Sequence, residues 1–270
     1  MPLFTVFAAA ALAFVPIRGF FATISYAPAP LMFPLVTDKV SFYLIMVIIT
    51  SSIFLTFWIL LFNNKLEAEC DKLFDQTVGK LTIVPLSIAW VYALVTLPMP
   101  MSFEGVTISC LILSLIGFIM CIVIEALEEK VNVSRFPPFV IRKAFISCLT
   151  FLHFYVFISS ICLLALFNAS SGRQTKVIED SQIGVIFFAI IFLCLWGGFK
   201  KDQVICLLTL LWMIGMMVNS ARGKDVCTKK FRNGTIAITS IALLPSLLLL
   251  FSGPLLCKQF GSENVWPLSK

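Results

Sequence analysis

Residues 40–62 read VSFYLIMVIITSSIFLTFWILLF and contain no charged side chain. A helix crossing a hydrocarbon core about 30 Å thick needs about 20 mostly apolar residues. This run supplies them. Working outward, comparable runs occupy 3–26, 81–103, 106–127, 144–167, 182–199, 204–218 and 235–257. The sequence therefore predicts an all-α integral membrane protein. Its architecture is a polytopic bundle of about eight (seven to eight) transmembrane helices plus one amphipathic surface helix. No connection between runs is long enough for a soluble domain, so 1–270 is expected to form a single transmembrane domain.

Composition excludes the other broad classes. Of the 270 residues, 60% are apolar and 13% charged, and the mean hydropathy is +1.01. A soluble domain would lack polar cover, and a disordered chain would be charge-rich and hydrophobe-poor. The net charge of +6 sits in short loops, so phospholipid headgroups are its expected anionic neighbours. No nucleic-acid-binding signature accompanies it, and nucleic acid is not an expected partner. Twenty-seven Phe against 4 Tyr point to ring packing without polar duties.

The first run differs from the rest. Leu3–Val15 has the look of a signal-peptide core, and Ala11-Leu12-Ala13 has small residues suited to a cleavage site. No basic residue precedes it, so a retained helix is expected; cleavage would leave seven spans. Pro28, Pro30 and Pro34 then prevent helix continuation.

The connections carry their own signals. Within 63–80, Leu66, Cys70, Leu73, Phe74 and Val78 recur at helical spacing, with Glu67, Asp71 and Asp75 on the polar side. This predicts a surface helix over about 65–78. The connections at 102–105 and 200–203 predict tight antiparallel hairpins. The fourth span is expected to run past the membrane to about Lys130, and Pro137-Pro138 to start the fifth. Arg222, Lys224, Lys229, Lys230 and Arg232 make the most basic loop. It reads as a lipid or partner contact, or as an ordinary cytoplasm-type loop. Lys and Arg divide almost evenly between the two sides, so they leave the orientation and the membrane open.

Chemistry-bearing groups inside the spans are sparse. The one histidine in the sequence, His153, falls near the middle of the fifth run, within Phe151-Leu152-His153-Phe154-Tyr155. An ionisable group there is a candidate site by default. Its available partners are Tyr155, Ser159 or a backbone carbonyl. Glu125, near the end of the fourth run, is shallower, which argues against a direct pair with His153. Of the nine Cys, Cys110, Cys121, Cys148, Cys162, Cys194, Cys206 and Cys257 lie in apolar runs, where a thiol packs as a small hydrophobe. No C-x-x-C pair, nucleophile elbow, P-loop or H-E-x-x-H occurs, and one histidine cannot assemble a metal site alone. No catalytic residues, metal or cofactor are expected; bound lipids are.

These features predict a non-catalytic protein, a structural or accessory subunit of a larger membrane complex with other membrane subunits as partners. The alternative is a small transporter or channel for an ion, lipid or small solute, using the proline-broken helices and His153. A seven-helix receptor-like protein is the third class, if the first run is removed.

Overall fold

The computed structural model describes residues 44, 45, 48, 81, 84–89, 91, 104–128, 136–167, 172–200, 202–222 and 229–259. Within helices at 128, 136–143, 166–167, 172–180, 222 and 249–259 it describes the backbone course only. The surface helix over 65–78, the first span, most of the second and third spans, and Lys224 lie outside the described residues.

Five long helices follow one another: α1 (Glu104–Glu128), α2 (Phe136–Phe167), α3 (Gly172–Phe199), α4 (Gln203–Arg222) and α5 (Lys229–Gln259). Each contains a stretch long and apolar enough to cross a membrane: Glu104–Leu127, Ala144–Ala165, Ser181–Phe199, Gln203–Ala221 and Lys229–Leu248. The described chain is thus an all-helical membrane bundle. Hydropathy locates the spans well and the helix ends poorly, because the backbone ladder continues into the polar headgroup region. So α3 starts at Gly172 rather than at 182, and α4 carries Asn219-Ser220-Ala221-Arg222 beyond its apolar part. Pro137 and Pro138 sit in the first turn of α2, where a missing N–H removes no intrahelical bond.

The residues gather into two compact units. The first holds the helical residues 84–89, α1 and α2. In lipid, apolar contact alone does not drive helices together; close backbone approach through small side chains does. The α1 sequence supplies such a stripe. Cys110, Ser114, Gly117 and Cys121 are buried at helical spacing, while Ile108, Ile112, Ile116, Ile119 and Val123 are exposed on the other side. The small side chains of this stripe therefore face α2, while many of the large ones of α1 face outward. At one end of the hairpin Ile124 and Ile146 form a core against Leu81, Leu127 and Phe145.

The second unit holds α3, α4 and α5. Its α3–α4 turn is closed by Asp202. The Asp202 N–H donates to the Gly197 carbonyl at 2.8 Å, the six-residue closure of a Schellman turn. Its Oδ1 then accepts from Val204 N–H at 3.0 Å and Ile205 N–H at 3.1 Å, capping α4. One residue ends a helix and starts the next, which is why the connection at 200–203 can be so short. A Cβ on Gly197 would come within 2.6 Å of Cys206 Sγ, so the glycine permits the close crossing. Asp202→Ala is expected to destabilise the unit by about 1 kcal/mol, with Asp202→Asn close to wild type. Thermal unfolding in detergent checks this, and equal midpoints for all three proteins would refute the cap.

Helix α5 runs parallel to α3 and antiparallel to α4. Gly234 lies against Ile183, Cys194 Sγ meets Ser246 Oγ at 2.9 Å, and Ser240 Oγ reaches Met217 Sδ at 3.6 Å. The buried hydroxyls of α5 mostly serve their own helix. Thr235 donates to Phe231 O at 3.0 Å, Thr239 to Thr235 O at 2.8 Å, and Ser246 to Ala242 O at 2.8 Å. With its proton so placed, Ser246 accepts from the Cys194 thiol. On α3, Phe188, Phe192 and Trp196 stack at four-residue spacing, and Lys200 Nζ lies 5.3 Å from the Trp196 ring centre. An aromatic column ending in Trp and Lys suits the membrane–water boundary.

Candidate functional site

The site forms where three helical segments of the first unit meet around His153. Contacts of α1 with α2 run in reverse order along the two chains, so the helices are antiparallel. Glu125 meets Thr150, Gly117 meets His153, and Phe118 meets Phe154. That register puts the small stripe of α1 opposite the middle of α2.

His153 is 0% exposed. Its Nε2 lies 3.0 Å from the Pro85 carbonyl oxygen. The carbonyl can only accept, so Nε2 donates, and in the neutral ring Nδ1 is the unprotonated nitrogen. A carbonyl has two lone pairs and accepts this bond alongside a helical one. Of the three partner types available to His153, the structure thus supplies the backbone carbonyl. Proline has no N–H to donate to the carbonyl of Leu81, and its own carbonyl joins the 84–89 segment to α2.

The ring is seated on Gly117. A Cβ at that position would collide with His153 Cε1 and lie 2.5 Å from Nδ1 and 2.8 Å from Nε2. Only hydrogen fits there. One position further along each helix, Phe118 and Phe154 pack against each other, with centroids 5.1 Å apart at 49°. Tyr155, two positions along from His153, points elsewhere on a helix of 3.6 residues per turn. It stacks on Phe151 with centroids 6.3 Å apart.

Glu125 is buried and joined to α2 rather than to His153. Thr150 Oγ1 lies 3.0 Å from Glu125 Oε1 and 2.9 Å from Ile146 O, so its proton is shared between two acceptors. Cys121 is next to both Thr150 and Glu125. Thr150 is one turn from His153 along α2, so Glu125 and His153 occupy successive layers of one interface.

Of the basic candidates, Lys229 and Lys230 are exposed and Arg232 is half-buried at the start of α5. Arg222 belongs to α4, with its side chain outside the described residues. Among the described residues, no three His, Cys, Asp or Glu side chains gather within reach of one metal ion. Sequence reasoning missed Gly117, Pro85 as an acceptor, and Thr150. The signal for Gly117 was present in the small-residue spacing of α1. Geometrically, the cluster clamps three helical segments together with few polar atoms. No family model, curated protein or solved structure matches the chain.

Proposed function

We propose that this chain is a non-catalytic polytopic membrane protein acting as an accessory subunit of a larger membrane assembly. With spans at 3–26, 40–62 and 81–103 added to α1–α5, it would cross the membrane eight times. The carrying observation is the engagement of His153. Its Nε2 is spent on the Pro85 carbonyl and its face is closed by the Gly117 backbone. A histidine held this way acts as interhelical glue, the ordinary role of a polar side chain between membrane helices. The outward-facing apolar side chains of α1 and α5, among them Ile112, Ile119, Ile241 and Leu244, offer surface for lipid and neighbouring subunits.

Gentle solubilisation of the tagged chain from its own membranes, followed by native mass measurement and partner identification, tests this. A stoichiometric assembly of several proteins is expected. A lone monomer or homo-oligomer that conducts solute in liposomes would overturn the proposal. That outcome belongs to the second reading, a small transporter or channel. The observation favouring it is a buried carboxyl group, Glu125, that accepts a hydrogen bond from Thr150 within a span.

A further inference from the structure

Among the described residues, two buried polar groups near one end of the second unit are left unused by its own folding. Gln182 Nε2 and Ser220 Oγ have no hydrogen-bond partner, and the residues are 5% and 0% exposed. Such groups are costly to leave unpaired and call for an explanation. Both lie at the same end of the unit. Gln182 lies on the buried stripe of α3 that reaches Gly197 against α4. Its neighbour Ile183 packs on Gly234, in the second turn of α5. Ser220 ends the buried stripe of α4 one turn beyond Met217, which meets Ser240. Because α4 and α5 are antiparallel, Ser220 lies on the side of Ser240 toward the start of α5.

The start of α5 is unusual in its charge. Lys229, Lys230 and Arg232 occupy its first turns, where the positive end of the helix dipole disfavours cations. The first N–H groups of a helix also lack intrahelical acceptors. Amide N–H, hydroxyl, helix N–H groups and three cations are all hydrogen-bond donors or positive charges. An oxyanion complements donors and positive charges alike.

We propose that Gln182, Ser220 and the first turn of α5, with Lys229, Lys230 and Arg232 at its rim, bind a phosphate group. The candidate spans of α3, α4 and α5 end at this level, at Ser181, Ala221 and Lys229. The phosphate there is the headgroup of an anionic phospholipid, whose acyl chains lie along the outer faces of the same helices.

The test uses the full chain in a mild non-ionic detergent. Phosphatidylglycerol, phosphatidylcholine of equal chain length, and inorganic phosphate are titrated separately. Thermal midpoint and lipid retained in native mass spectra are read. Phosphatidylglycerol should raise the midpoint and remain bound, and phosphatidylcholine should do so much less. Gln182→Leu should weaken phosphatidylglycerol binding by about tenfold. The Lys229→Ala/Lys230→Ala double variant alters exposed side chains only and should weaken it similarly, so the test survives misfolding of the Gln182 variant. A midpoint shift with inorganic phosphate equal to that with phosphatidylglycerol supports the oxyanion site and assigns its source to free phosphate. Equal retention of the two lipids, or wild-type retention by both variants, overturns the proposal.

Discussion

Gly117→Ala is expected to destabilise the protein by about 2–3 kcal/mol, as overpacking and a displaced buried hydrogen bond combine. The sign is the informative part. At an ordinary helix position the same change favours the helix by about 1 kcal/mol. Here the new methyl would occupy the space of the His153 ring. The ring cannot yield cheaply, because Nε2 is held by Pro85 O and the whole residue is 0% exposed. A shift of the ring therefore loosens the 84–89 segment as well as the α1–α2 contact. Unfolding in mixed micelles measures the effect. Combining Gly117→Ala with His153→Ala gives the second readout. Removing the ring makes room for the methyl, so the pair should cost less than the two single changes added, by about 1–2 kcal/mol. Additive costs, or a Gly117→Ala protein as stable as wild type, would mean that the glycine is not the seat of the ring.

The later spans were legible because twenty apolar residues in a row have one physical solution in lipid. The same logic placed the start of α2 at Pro137-Pro138 and the tight turn at Lys200–Gln203. Which residues meet was less legible. Hydropathy scores Gly117 and Ser114 as weak contributors to a span, yet together with Cys110 these small residues set how closely α1 and α2 approach. The need of His153 for a partner followed from its charge chemistry and depth. That the partner is the carbonyl of Pro85 did not follow, since every residue has a carbonyl and only tertiary packing selects one. Glu125 presents a similar case. Depth alone separates it from His153, but a threonine was not weighed as its partner. Threonine in a span reads as nearly neutral, and its donor becomes visible only when α2 is laid antiparallel on α1. The unused donors of Gln182 and Ser220 were invisible for the same reason, because burial without a partner is a property of three packed helices.

Thr150→Val is expected to cost about 1.5–2 kcal/mol, the range for a hydrogen bond to a carboxyl group that is buried on both sides. Valine keeps the shape and removes only the donor. The bond to Ile146 O is lost without consequence, since that carbonyl is also the natural acceptor of its own helix. The lost donor to Glu125 Oε1 is the part that matters. Glu125→Gln keeps an oxygen acceptor for Thr150 and should cost less than Glu125→Leu, which keeps none. The Thr150→Val/Glu125→Leu cycle should show a coupling of about 1 kcal/mol or more. A Thr150→Val protein with wild-type stability would show that the hydroxyl does not hold the carboxyl group. The pair also separates the two functional readings. In a subunit whose α1–α2 hairpin is a fixed building block, breaking the pair lowers stability and the yield of the assembly together, and nothing else changes. In a transporter the carboxyl group must leave Thr150 during each cycle, so a binding affinity or flux would shift by more than the stability loss accounts for. Measured in one set of membranes, assembly yield that follows stability across the four proteins supports the subunit. A flux that changes in Thr150→Val at unchanged protein level rejects it.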